Sequence, residues 1–250
     1  MSKKNFCDKI VISNEGVKMK KDIIISVCII GIIISSVLYS FISVNKKIEN
    51  IDLKKARKLM IVAHPDDETI WGGAHLLDDD YLVVCITCGN SVRRNYEFKK
   101  VMKYTKDQFI ALGYPDKPKG VKSDWVNLEE GLYDDLKEII TAKSWDLIVT
   151  HNKEGEYGHI HHKKTNKIVT DIYNDLKLKE DLYYFGKYYT KKKIKNYEQE
   201  LTPIDPEKAK IKNEKLMEVY KSQYFIKDIL GHMFNYEMWE KYEKDKIIED

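Results

Sequence analysis

The 250-residue chain reads as an α/β protein: a three-layer sandwich around a mostly parallel sheet, preceded by one N-terminal transmembrane helix. Three observations predict this. Short apolar runs alternate with longer stretches whose apolar residues recur at helical spacing, the pattern of right-handed βαβ units covering a sheet on both faces. Ile23 to Val44 is a run of 22 residues without a charge. As a helix it would be about 33 Å long, enough to cross a hydrocarbon core of about 30 Å. Between the two regions Asn45–Ala56 is polar and charged, as a linker would be.

The elements follow in order. Lys58–His64 is a first strand, and Glu68–Leu77 is the helix after it. Tyr81–Thr87 is β-branched and apolar, hence a second strand. Asn95–Leu112 has a helical pattern, with Phe98, Val101, Met102, Phe109 and Ile110 as its apolar positions. Leu132–Ala142 places Leu132, Leu136, Ile139 and Ile140 on one stripe. Trp145–Thr150 is a strand, His162–Leu176 a helix and Leu182–Tyr189 an aromatic strand. Lys208–Tyr242 is mostly helical in pattern, with a break near Gly231. The chain therefore divides into a tail (1–22), an anchor (23–44), a linker (45–56) and one domain (57–250).

The uncharged run is apolar all round and has charged flanks, which favours an anchor over a buried core helix. It is also longer than the roughly 7–15 apolar residues of a cleaved signal peptide. Lys3, Lys4, Lys9, Lys18, Lys20 and Lys21 precede it, and Lys46, Lys47, Lys54, Lys55, Arg57 and Lys58 follow it, so basic residues balance. Lys18, Lys20 and Lys21 abut the run and favour an inside N-terminus. The expectation is a single-pass cell-membrane protein whose domain lies outside the cytoplasm.

Composition excludes other classes. A hydrophobic content of 43% argues against disorder. A net charge of +3, with lysines interleaved among acids, offers no clustered basic face for nucleic acid. Cys7 and Cys28 lie before and inside the apolar run and do not look like a disulfide framework. Cys85-Ile86-Thr87-Cys88 is a C-x-x-C at a strand end, whereas a reactive pair sits at a helix N-terminus. Cys85 reads as a small core residue, and Cys88 is left open.

Two segments about ninety residues apart carry the chemistry. Ala63-His64-Pro65-Asp66-Asp67-Glu68 follows the first strand, and Glu154-Gly155-Glu156-Tyr157-Gly158-His159-Ile160-His161-His162 follows the strand ending at Thr150. Ligands of open α/β sheets bind outside the carboxyl ends of strands, so the fold brings both segments together. A capping acid explains one carboxylate beside Pro65 but not three in a row next to a histidine. His159 and His162, three apart, share a face of a helical turn, and Gly155 and Gly158 let the loop approach a ligand. Two histidines and an aspartate make a catalytic zinc set that leaves a position for water. The remaining carboxylate and histidine supply a base and an acid.

At these residues the chain resembles the PIG-L/LmbE-like zinc-dependent de-N-acetylases, which carry His-Pro-Asp-Asp-Glu after the first strand and Gly-His-x-x-His after a later one. The likeness extends through Gly72-Gly73, Leu112-Gly113-Tyr114-Pro115-Asp116 and Tyr220-Lys221-Ser222-Gln223, covering most of residues 57–230. It implies a Rossmann-like fold and a zinc ion, or another divalent metal, on His64, Asp67 and His162. Asp66 would be the general base. His159 would be the general acid or a cation stabilising the tetrahedral intermediate. Tyr157 matches a tyrosine that hydrogen-bonds the oxyanion in some members. Arg94, with Arg93 as the alternative, would contact substrate at the mouth, and plain surface charge is the competing reading of both. The thiol-cofactor branch carries Pro-Asp between its last two histidines. Here Ile160 and His161 stand there, and His161 reads as solvent-facing.

The resemblance implies removal of an N-acetyl group from an N-acetylglucosamine-containing substrate, with no nucleic-acid partner and with the membrane met through the N-terminal helix. A glycan-binding module with a degenerate site and a metal-dependent amidase acting on a non-sugar N-acyl substrate are the alternatives.

Overall fold

A computed structural model describes residues 21–31, 34, 43–117, 120 and 123–244. A helix, α1, covers residues 21–31, and α2 spans Val44–Glu49. The domain then runs β1 (Lys58–Val62), α3 (Asp67–Leu76), β2 (Tyr81–Thr87), α4 (Val92–Thr105), β3 (Gln108–Tyr114) and α5 (Glu129–Ile140). It continues with β4 (Leu147–Thr150), α6 (Ile160–Asp175), β5 (Asp181–Phe185), α7 (Pro206–Ile211), α8 (Ile226–Leu230) and β6 (Trp239–Lys241).

The strands form one sheet in the order β3-β2-β1-β4-β5-β6, parallel except for β6. Alternation along the strands divides the core in two. Leu59, Ile61, Leu82, Val84, Ile110 and Ile148 face α5 and α6, where Leu136, Ile139, Val169 and Ile172 complete the layer. Met60, Val62, Val83, Cys85 and Val149 face the opposite way, onto Ile70 and Trp71 of α3, Phe98 and Met102 of α4, and the C-terminal Leu216, Tyr220 and Phe234. This is the expected α/β sandwich with a mostly parallel sheet. The chain leaves β1 in one direction towards β2 and β3, and enters β4 and β5 in the other. The switch point of the sheet therefore lies between β1 and β4, whose register pairs Leu59 with Ile148 and Ile61 with Thr150.

Two expectations are corrected and a third is refined. Among the described residues no helix is long and apolar enough to cross a membrane, which overturns the transmembrane helix over Ile23–Val44 and the single-pass, extracytoplasmic placement built on it. At the C-terminal end of the run Ser43 takes an extended conformation (φ −55°, ψ 149°) and starts a separate helix, α2. Val44 is buried in the domain core and the Lys47 ammonium donates to the carbonyl of Ala111, so this end serves the domain. Residues 32–33 and 35–42 of the run lie outside the described residues.

The second correction concerns Asn95–Leu112, which is a helix followed by a strand. Lys106 takes a left-handed conformation (φ 69°) after α4, and the Asp107 carboxylate accepts from the backbone N–H of Tyr81, turning the chain into β3. The third is a refinement: Lys208–Tyr242 is mostly helical with a junction at Gly231, as expected, but is divided into short pieces. There α7 passes into a π-helical turn over Lys212–Leu216 and then into short 3₁₀ turns, α8 and β6. Lys212 is fully buried and donates to Glu237 at 2.7 Å and to the carbonyl of Ile70 at 2.8 Å. Glu237 also accepts from the backbone N–H of Ala74 at 2.8 Å. This ion pair ties the C-terminal segment to α3.

Candidate metal centre

The site begins where β1 ends. Pro65 stops the ladder, and Asp66 follows with φ 117°, a region that non-glycine residues occupy only under constraint. The constraint is visible. The Glu68 carboxylate accepts the Asp66 N–H at 3.0 Å and is itself bonded by the hydroxyls of Thr69 and Tyr220. Arg94 donates to the Pro65 carbonyl at 2.8 Å. The Asp66 carbonyl accepts from Thr69 and Ile70 to open α3, while its side chain makes no cap. Its carboxylate is thus left for the cavity.

The second segment comes off β4. Gly155 has φ 67°, and a Cβ there would lie 2.6 Å from the carbonyl of His159, so only glycine closes this loop. His159 caps α6, and His161 and His162 enter its first turn. Between β1 and β4 three donor atoms converge. His64 Nδ1 is 3.1 Å from Asp67 Oδ2, His162 Nε2 is 3.3 Å from Asp67 Oδ2, and the two imidazole nitrogens are 3.3 Å apart. Ligands at about 2.0 Å from a tetrahedral zinc stand about 3.3 Å from one another, so the residues present fit such an ion.

Two further groups of potential donors overlap this one. His151, Glu156 and His162 lie together, but there Glu156 Oε2 accepts from His151 Nδ1 at 3.1 Å and from His162 Nδ1 at 2.5 Å, so both imidazole atoms are used in hydrogen bonds. His64, His159 and His161 form the other, in which His64 Nε2 and His161 Nδ1 are 2.9 Å apart, a hydrogen-bond distance.

The buried carboxylates and imidazoles shift one another's protonation strongly. Burial would push Asp67 up, yet His162 and His64 pull it well below the usual carboxylate range. Burial works against a proton on His162, but Asp67 and Glu156 outweigh it and raise its pKa to about 10. His64, buried beside it, is lowered to about 4. Glu156 falls to about 2, because His151 and His162 overcome its burial. Asp67 and Glu156 thus both favour positive charge at His162. Asp66 moves in the opposite direction, raised well above the usual range by burial, against the pull of Arg94 and with Asp67 and Glu68 adding to the rise.

A cavity of about 370 Å³ opens over these groups, lined by His64, Asp66, Asp67, Arg94, Tyr157 and His159 on its polar side and by Phe225, Ile226 and Ile229 on an apolar wall. The His159 ring lies 4.6 Å from those of His64 and His162. Tyr157 stands at the mouth, its phenol pKa raised by burial and by Asp67 and Asp66. Arg94 reaches the wall, 3.7 Å from Asp66, and besides the Pro65 carbonyl it also contacts Asp116 and Cys88. Arg93 points away, 67% exposed, and pairs with Glu97. Cys85 and Cys88 are buried with raised thiol pKa values, and neither joins the donor groups.

Sequence reasoning missed three participants. His161 does not face solvent. It is fully buried and stacks on Trp125. His151 and Glu156 support His162 from behind. The position of His151, immediately after β4, was the available signal, since carboxyl ends of strands face the site. Nothing in the spacing marked Glu156.

Fold and site together define a Rossmann-like α/β domain built around a His/Asp/His donor set at the switch point of its sheet. Residues 59–173 match the family profile described as PIG-L: GlcNAc-PI de-N-acetylase. Among curated proteins, the uncharacterised protein L374 of Acanthamoeba polyphaga mimivirus is 36% identical over 135 residues, an alignment taking in 47% of this chain. The chain spans 58% of that relative's length. Among solved structures, the A40926 pseudoaglycone deacetylase Dbv21 superposes with a TM-score of 0.53 and 16% identity, over 70% of this chain and 85% of its own, a likeness of fold. The 4-carboxy-2-hydroxymuconate hydratase GalB of Pseudomonas putida KT2440 aligns at a TM-score of 0.49 and 12% identity, over 71% of this chain and 81% of its own.

Proposed function

We propose that this protein is a metal-dependent hydrolase that removes an N-acetyl group from an N-acetylglucosamine-containing glycan, glycolipid or glycoconjugate. The observation that carries the reading is the convergence of His64 Nδ1, Asp67 Oδ2 and His162 Nε2 at 3.1–3.3 Å under a cavity that also receives Asp66, His159 and Tyr157. The family profile that residues 59–173 match supports the amide and the sugar. A zinc ion held by the three donors would act as a Lewis acid, polarising the acetyl carbonyl and making water nucleophilic at neutral pH.

The chain's own groups supply the rest. Asp66, made more basic by burial, takes the proton of the attacking water. Its strained backbone aims the carboxylate into the cavity instead of at the helix it precedes. Tyr157 keeps its phenolic proton and donates it in a hydrogen bond to the developing oxyanion. His159, across the cavity, protonates the leaving nitrogen. Arg94 fixes the Pro65 turn and places positive charge at the wall, where substrate oxygens pass.

The test is acetate release from N-acetylglucosamine-containing substrates by the zinc-loaded chain, with N-acyl amino acids assayed in parallel. Chelation should abolish release. Asp66→Asn should retain zinc while losing activity by about 10²–10⁴-fold. Undiminished turnover by that variant would remove the base assignment, and turnover of N-acyl amino acids alone would remove the sugar.

A further inference from the structure

We infer that His161 is a positioning residue that decides which nitrogen of His64 faces the metal, an inference that rests on reading His64 as a metal ligand. The argument starts from a backbone carbonyl. The Ser123 carbonyl can only accept, so its 2.6 Å contact with His161 Nε2 places a proton on that nitrogen. A neutral imidazole carries one ring proton, which leaves His161 Nδ1 as an acceptor. His64 Nε2 lies 2.9 Å from it and therefore donates. The lone pair of His64 is then on Nδ1, the atom that stands 3.1 Å from Asp67 Oδ2 and 3.3 Å from His162 Nε2.

His162 is set by the same logic from the other side. Its Nδ1 donates to Glu156, so Nε2 turns inward. The two imidazoles thus offer different ring atoms to one point, each held by a different outer acceptor. His161 is itself fixed. It is fully buried, and its ring lies on Trp125 at 4.1 Å and 2° from parallel. Trp125 in turn donates to the carbonyl of Pro115 at 2.7 Å. The separation of 2.9 Å between His64 Nε2 and His161 Nδ1 is shorter than the roughly 3.3 Å between two ligands of a tetrahedral ion, so these atoms share a hydrogen and not a metal.

The test uses the full chain labelled with ¹⁵N-histidine and loaded with one equivalent of zinc, its ring nitrogens read by long-range ¹H–¹⁵N NMR. His64 should carry its proton on Nε2 and its metal on Nδ1. In a chelator competition, His161→Phe, which keeps a ring on Trp125 without an acceptor, should bind zinc about 10–100-fold more weakly. His161→Asn, whose amide oxygen can accept from His64, should recover most of that loss. Should His161→Phe not fold, as judged by melting of the metal-free protein, the tautomer in the native chain decides. Zinc on Nε2 of His64, or native affinity in a folded His161→Phe, would overturn the inference. His64→Ala separates it from the reading beneath. If that variant loses zinc while His161→Phe keeps it, only the role of His161 falls; if it keeps zinc, both fall.

Discussion

Three carboxylates in succession, Asp66, Asp67 and Glu68, take three different tasks because each meets a different neighbour. Asp67 accepts the His64 N–H at 2.8 Å and faces two imidazoles, Glu68 is used up in holding the turn, and Asp66 is left towards the cavity. The presence of this cluster and of the paired histidines was legible in the sequence, because the motifs are short and contiguous. The support given by His151, Glu156 and His161 was not, because it depends on burial and on which ring nitrogen carries a proton. A pH prediction belongs at this scale. In the metal-free chain His162 has a pKa near 10 when folded, against an ordinary value of 6.5. Its protonation therefore contributes stability fully below pH 6.5, and that contribution is lost as pH rises towards 10. Zinc must displace the same proton, so at pH 7 binding should release about one proton per ion, and affinity should rise about tenfold per pH unit. Calorimetry in two buffers of different ionisation enthalpy measures this, and zinc uptake without proton release would contradict it.

At the scale of elements, the loop Asn152–His159 depends on backbone conformations that side chains resist. Gly155, Glu156 and Gly158 all have positive φ, and Asn152 and Glu156 bond to each other to hold the turn, the Asn152 N–H to Glu156 Oε1 and the Glu156 N–H to Asn152 Oδ1, each at 3.0 Å. Gly155→Ala should destabilise the metal-free protein by more than about 1 kcal/mol and weaken zinc binding with it. Denaturant unfolding checks this, and an unchanged midpoint would contradict it. The strands and helices differ in how plainly the sequence announced them. Tyr81–Thr87 was legible because it is a continuous apolar run rich in β-branched residues, following the acidic Asp78–Asp80. Strand β3 was not, because no Gly or Pro separates it from α4 and the left-handed residue there is a lysine, Lys106. Strand β6 is only three residues long and pairs at the edge, below what periodicity can resolve.

At the scale of the molecule, the sheet order places the ends of β1 and β4 side by side, and this alone joins segments separated by about ninety residues of chain. The alternation of strands and helices made that architecture readable without a structure. The uncharged N-terminal run misled, because hydropathy counts residues and does not see the break at Ser43 or the burial of Val44. The C-terminal segment is secured to α3 by the buried Lys212–Glu237 pair. Lys212→Met leaves the buried Glu237 without its lysine, with the His75 imidazole at 2.7 Å and the Ala74 N–H at 2.8 Å as remaining partners, and should cost about 2–4 kcal/mol in denaturant unfolding; a loss below about 1 kcal/mol would show that the pair is not what holds the segment. The central claim is that two distant loops share one cation. An anomalous difference map from zinc-soaked crystals of the full chain tests it most directly. The account predicts a single strong peak about 2.0–2.1 Å from His64 Nδ1, Asp67 Oδ2 and His162 Nε2; a map with no peak there, or with its peak at another group of histidines, would contradict it.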